Sequence, residues 1–307
     1  MSKNQTNIFD EKIFIEYQKK YYENSNFSEI LINALNYEEN IINFPVTIVS
    51  NENQKILNSY NNAIFLDNLN LNPSSYKKVL QDLKNILKKE GIKKIQFKKE
   101  FKEDELELKL SGNKEPIDFI GVESIINLEN SLDVIKQNFS KGHKSALKID
   151  YKNLTYEIFD KKNYQKNQIF EMMELHKKVS GKSTRSKQTW IINEKMVQSD
   201  NGFLIRVKDD NKIISYSFIF FNKNFSIYFS SCTLRENFKT YKNISHKSIW
   251  EAIKYLKLKK CQKFSLGVTK TFYSKDLVDE KNKNISLFKS SFGGERKYFI
   301  IYNRIPN

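Results

Sequence analysis

Close to the carboxy end of the chain, Phe288 and Lys289 are followed by Phe292 and the pair Gly293-Gly294. A lysine set between two aromatic side chains, just ahead of a glycine turn, is a cation held in one place. Such a charge suits a developing oxyanion or a phosphate. The same residues also make an ordinary surface lysine beside a packing ring. Arg185 and Arg235 can each grip a phosphate through two N–H bonds, or form structural salt bridges. Trp190, Tyr241 and Phe288 offer faces on which a substrate or cofactor can lie, although Trp190 and Trp250 suit a core equally well. For a group that takes a proton, the sequence offers Glu251 and Glu236.

Several other chemistries lack their residues. Gly181-Lys182-Ser183 imitates the end of a phosphate-binding loop, but His176 stands where the first glycine is needed and a helical pattern precedes it. There is no G-x-G-x-x-G and no G-x-S-x-G, which argues against a dinucleotide fold and a hydrolase nucleophile elbow. His143, His176 and His246 are too dispersed for a metal signature and read as surface or packing histidines; no metal is expected. Cys232 and Cys261 are too few for a disulfide framework, which points to a reducing compartment.

The net charge of +16 favours anionic partners such as nucleic acid, a phosphorylated cofactor or an acidic membrane face. The lysines are scattered through a chain rich in Asn and Ile, as a compositionally biased genome also produces. The amino terminus lacks the apolar core of a signal peptide, and the most apolar run, Tyr216 to Phe221, is far short of the ~20 residues that span a bilayer. A cytoplasmic protein without a transmembrane segment is expected.

The elements that must position these residues follow from periodicity. Residues up to about Ser28 read as helical, 44–50 and 55–57 as strands around a turn at 51–53, and 63–66 as a third strand. Pro73 opens a helix with Val79, Leu80, Leu83, Ile86 and Leu87 on one face; Gly91 closes it, and 92–97 returns as a strand. Strands at 106–110 and 117–128 follow. Ser131 caps the first of two short helices broken near Gly142.

Next come a strand at 154–159, helices at 164–179 and 188–198, and strands at 203–207, 213–221 and 225–232. Ser245 then caps a helix with Ile249, Ala252, Ile253 and Leu256 at helical spacing. A strand from Cys261 to Leu266 is ended by Gly267. Asn284 caps a short helix with Ile285, Phe288 and Phe292 turned inward, Gly293 stops it, and 297–302 forms the last strand. LKNILKKEGIKKIQF, from Leu83, lies without gaps on AIKYLKLKKCQKFSL, from Ala252, which suggests two copies of one helix-then-strand unit.

LHKKVSGKSTRSKQTW at 175–190, Cys232 to Arg235, Ile249 to Ile253, FSLG, and above all Phe288-Lys289-x-x-Phe292-Gly293-Gly294 together resemble the Fem peptidyltransferase family. They resemble equally its relatives described as BioF2-like acetyltransferase domains, within the GNAT acyltransferase superfamily. The resemblance covers the chain well from about Ser131 and the first half only by layout. It implies an α/β (α+β) fold of two tandem GNAT-like domains, each a mixed, largely antiparallel sheet flanked by helices. The expected division is a degenerate amino-terminal domain at 1–130, a helical connector at 131–150 and an acyltransferase domain at 151–307.

The activity implied is transfer of an acyl or aminoacyl group to an amine. The donor would be acyl-CoA (acetyl-CoA) or aminoacyl-tRNA, and the acceptor an amino sugar or a precursor of peptidoglycan or another surface glycan. Lys289 would stabilise the oxyanion or a donor phosphate. Two family features are absent: no long heptad segment forms a coiled-coil arm, and the Q/R-x-x-G-x-G/A acetyl-CoA signature is missing, since ENFKTYKNIS follows Arg235. The alternative from another class is a basic nucleic-acid-binding protein without catalysis, which the net charge alone motivates.

Overall fold

A computed structural model of the chain describes residues 12–21, 26–51, 54–58, 71–92, 94–101, 117–270 and 280–304. Its elements are α1 (Lys12–Tyr21), β1 (Asn26–Leu35), β2 (Ile41–Asn51), β3 (Gln54–Asn58), α2 (Pro73–Glu90), β4 (Lys94–Phe101) and β5 (Ile117–Asn127). They continue with α3 (Leu132–Gln137), α4 (Lys141–Lys148), β6 (Leu154–Phe159), α5 (Asn167–Ser180), α6 (Lys187–Gln198), β7 (Gly202–Asp209), β8 (Lys212–Phe221) and β9 (Phe225–Thr233). The last are α7 (Asn237–Thr240), α8 (Ile244–Leu258), β10 (Lys263–Lys270), α9 (Glu280–Ser290) and β11 (Glu295–Arg304).

The chain divides into two units. One, here the Lys289 unit, comprises Met1–Tyr21, Glu123–Val268 and Asn284–Arg296; the other, the α2 unit, comprises Tyr22–Val122, Thr269–Lys283 and Lys297–Asn307. Within the Lys289 unit the strands run in the order β5-β10-β9-β8-β7-β6. The pairs β6/β7, β7/β8 and β8/β9 are antiparallel and β9/β10 is parallel. Within the α2 unit the order is β1-β2-β3-β4-β11, with β3/β4 parallel and its other pairs antiparallel. Each unit is a mixed, largely antiparallel sheet flanked by helices.

The period-2 pattern decides what each face buries. Along β8, Ile214, Tyr216, Phe218 and Phe220 join Ile169, Met172, Trp190 and Met196 of α5 and α6 in one core. Ile219 and Phe221 join Ile249, Ala252, Ile253 and Leu256 of α8, with Phe292, in a second. A strand buried on both faces needs a continuous apolar run, and this explains why 216–221 carries one without being a membrane segment. In the α2 unit, Val79, Leu83 and Leu87 pack on Ile32, Val46, Ile48, Leu57, Ile95 and Phe97.

The internal echo is structural. Leu83, Leu87, Ile92, Ile95 and Phe97 align with Ala252, Leu256, Cys261, Phe264 and Leu266, and all ten are buried. Both helices end in the same cap: Gly91 and Lys260 adopt φ of 63° and 57°, and the next N–H returns to Leu87 O at 2.9 Å and Leu256 O at 3.0 Å. In each copy the following strand lies parallel to the strand before the helix, β4 on β3 and β10 on β9.

Some boundaries differ from the sequence reading. Ser28 lies in β1, whose alternation is blurred because exposed Leu31 and Leu35 interleave with buried Ile32 and Ala34. The break between α3 and α4 falls at 138–140, where Ser140 Oγ accepts the His143 N–H at 3.3 Å, so Gly142 is inside α4. Asn243, not Ser245, precedes α8. Helix α9 begins at Glu280 rather than Asn284 and leaves Ile285 38% exposed. The strands expected at 63–66 and 106–110 lie outside the described residues.

Candidate active site

Lys289 occupies the last turn of α9, and the residues after it fix that turn. Phe292 is buried, edge-on to Phe139 with ring centres 5.1 Å apart. Gly293 and Gly294 follow with φ of 71° and 89°, a region open to glycine. Space demands them as well: a Cβ on Gly293 would fall 2.6 Å from the Asn138 carbonyl oxygen, and one on Gly294 2.5 Å from that of Ile125. The two glycines let the backbone close onto α3 and β5 at once.

The lysine is turned toward a gap in the sheet. Strands β9 and β10 pair at Lys263↔Phe225, Phe264↔Ser226 and Ser265↔Ile227. There the ladder stops, although β9 runs on to Thr233 and β10 to Lys270. Gly267, just past the parting, adopts φ 79° inside the strand rather than ending it as expected. A Cβ there would meet Lys289 Nζ at 3.2 Å and the Tyr228 carbonyl oxygen at 3.9 Å. The ammonium therefore sits at the mouth of the parting, against a backbone position that carries no side chain.

Around it, Ser265 Oγ donates to Glu123 Oε1 and accepts the Gly267 N–H at 2.9 Å. Burial draws the Lys289 pKa down to about 8, against the opposing charge of Glu123. Tyr228 places its hydroxyl 3.1 Å from Ser217 Oγ, and burial raises its pKa. The result is a desolvated cation beside a carboxylate and a strand edge released from its neighbour. That combination can stabilise negative charge developing on a carbonyl oxygen.

A second cluster meets the same released stretch of β9. Arg185 donates to Tyr17 Oη at 3.0 Å and to Ser230 Oγ at 3.5 Å, and stacks 4.9 Å over Trp190, which is 2% exposed. Its Nε is buried without a hydrogen-bond partner among the described residues. Burial pushes the Tyr17 hydroxyl up to about 12 despite the guanidinium. A cleft of about 140 Å³ opens here, lined by His176, Lys177, Ser183, Thr184, Arg185 and Lys187 among others. Burial and the Arg185 charge lower the His176 pKa, so the cleft presents a neutral imidazole with cations and hydroxyls.

The remaining candidates are placed as follows. Phe288 packs on His143 and Phe292. Glu251 is bound within α8 to Lys254 at 2.6 Å. Arg235 and Glu236 are exposed on the turn after β9. Tyr241 is buried, its ring edge-on to Tyr151 and its hydroxyl bonded to Asn153. Lys289 and Phe288 are thus neighbours, as are Arg185 and Trp190; each pair has its own surroundings.

Sequence reasoning passed over Glu123 and Ser265, took Gly267 for a strand end, and read His143 and His246 as surface or packing histidines. His143 and His246 lie edge to face, 4.4 Å between ring centres, against Phe288 and Phe292. No group of three His, Cys, Asp or Glu among the described residues is arranged to hold a metal ion. No helix among them is long and apolar enough to cross a membrane.

No known protein-family model matches the chain, and no curated protein sequence does. Solved structures do. FemX superposes with a TM-score of 0.60 at 14% identity, over 95% of this chain and 91% of that one. L-PGS from Bacillus licheniformis gives 0.50 at 11% identity, over 94% and 91%. A tandem GNAT protein from the clavulanic acid biosynthesis pathway gives 0.50 at 6% identity, over 92% and 84%. At these identities the likeness is one of fold, and the chain has the tandem GNAT-like fold.

Proposed function

Proceeding from that fold, we propose that the chain transfers an acyl or aminoacyl group from a carrier, acyl-CoA or aminoacyl-tRNA, to an amine. An amino sugar or a precursor of peptidoglycan or another surface glycan is the acceptor, which would give the protein a cytoplasmic place in cell-envelope glycan biosynthesis. The observation that carries this reading is the Lys289 ammonium seated on Gly267 where β9 and β10 part.

An amine attacking an ester or thioester carbonyl builds a tetrahedral oxyanion, and the attacking nitrogen must lose a proton. Lys289 supplies the fixed cation for the first need. For the second, Glu123 joins Glu251 and Glu236 as a candidate and stands first, since its charge reaches Lys289. Arg185, stacked on Trp190, is suited to a phosphate of donor or acceptor.

The acyl end of either carrier suits this site, and both carriers stay open as the donor. Asn243, ahead of α8, is wholly buried and donates to the carbonyls of Ala146 at 3.0 Å and Ile149 at 2.8 Å. Its side chain makes no capping bond to the first N–H groups of α8.

The test is incubation with acetyl-CoA, charged tRNA and UDP-amino sugars, following mass gain on the acceptor, for the parent and Lys289→Ala. The parent should acylate one acceptor. The variant should fold and lose about 10²–10³-fold in kcat, as when one oxyanion donor is removed. Parental turnover in Lys289→Ala would refute the site.

A further inference from the structure

Several contacts converge on the turn that carries Lys289. Phe292 is wedged against Phe139 and His143, Gly293 closes on Asn138, and the Ser140 N–H donates to Ser291 O at 2.9 Å. The remaining contact is polar and reaches the peptide that leads into the lysine. His143 Nε2 lies 2.9 Å from the carbonyl oxygen of Phe288.

That carbonyl is one the helix leaves over. At the end of α9 the Ser291 N–H still goes four residues back, to Leu287 O. Phe292 N–H then turns to Lys289 O and Gly293 N–H to Ser290 O, each three residues back. The tightened turn bypasses Phe288 O, and an orphan carbonyl at a buried helix end needs a donor from elsewhere. A carbonyl only accepts, so the hydrogen is on His143 Nε2. Nδ1 is left to accept from Ser140 Oγ, at 3.3 Å, while the same hydroxyl oxygen receives the His143 backbone N–H. The tautomer is thus set locally by the residue that caps α4. Burial also lowers the His143 pKa, which keeps the ring neutral near pH 7.

We propose that His143 is a positioning residue for Lys289: its Nε2–H bond to the Phe288 carbonyl holds the last turn of α9 so that the ammonium is delivered onto Gly267. Ring packing alone does not account for it, since a phenylalanine would serve that purpose without a donor. The consequence for turnover rests on the acyl-transfer reading above. The consequence for the lysine itself does not.

The test compares His143→Gln, whose amide N–H reaches where Nε2 lies, with His143→Phe, which keeps a ring and has no donor. His143→Met replaces the latter if it fails to fold by circular dichroism. The first measurement is the pH dependence of Lys289 labelling by acetic anhydride, read by peptide mass spectrometry. The parent and His143→Gln should label with a midpoint near 8; in His143→Phe the midpoint should rise by about one pH unit or more, toward the ordinary lysine value of 10.5.

The second measurement is kcat, expected to fall about 10²-fold in His143→Phe with donor KM unchanged and to be largely regained in His143→Gln. An unmoved midpoint in His143→Phe, or equal loss in both variants, overturns the proposal. A shifted midpoint in a protein that acylates nothing would retain His143 in this role and remove the acyl-transfer reading.

Discussion

Lys289 Nζ lies 3.2 Å from the point at which a side chain on Gly267 would begin, a tight contact for any Cβ. The strand bends through φ 79° at that residue, so a substituent there is strained as well as obstructive. Gly267→Ala should therefore cost about 1–2 kcal/mol in stability, the penalty of a left-handed L-residue. It should also displace the ammonium and lower kcat by about 10²-fold. Thermal melts and turnover measured together check it; full activity at reduced stability would detach Lys289 from the reaction.

The lowered lysine pKa gives two opposite slopes with pH. Activity that needs the ammonium should fall as pH passes about 8, well before an ordinary lysine would discharge. Stability should do the reverse: between about 8 and 10.5 the unfolded chain still holds a proton that the folded one has released, so the contribution of this residue rises with pH. Lys289→Met should melt higher than the parent at pH 7 and lose that advantage by pH 10. Each kcal/mol corresponds to roughly 2–4 °C.

The buried imidazole pair should make the fold acid-sensitive. Burial and the neighbouring His143 take the His246 pKa down to about 4, and burial lowers His143 as well. From pH 6.5 down to 4 the unfolded chain binds a proton that folded His246 refuses, so stability is lost as pH falls through that window. His246→Phe should remove part of the loss, on the order of 2 kcal/mol at pH 4.5 relative to pH 7. Denaturant melts at the two pH values would show it, and identical slopes in parent and variant would count against the pairing.

Long apolar faces were readable because periodicity is local. The buried stripes of α2 and α8 follow from spacing alone, and so does the alternation that places 213–221 between two helical layers. β1 escaped because apolar residues fall on both of its faces, and pairing with β2 decides its conformation. Lys289 was visible as a lysine among aromatics. What surrounds it was not: Glu123 meets Ser265 across 142 positions of sequence, and the parting of β9 from β10 belongs to two strands at once. Gly267 gave a signal that was misread. A glycine after an alternating run looks like a stop, yet here it makes room for another residue's side chain.

The matched caps at Gly91 and Lys260 make one joint twice, with and without a side chain. Lysine pays there for a backbone shape that glycine adopts freely, by about 1–2 kcal/mol, partly offset by glycine's greater chain entropy when unfolded. The α2 half of the repeat thus holds the relaxed version of the cap and the half bearing Lys289 the strained one. Copying the first into the second, as Lys260→Gly, offers thermostabilisation at a solvent-exposed corner where no candidate site residue lies.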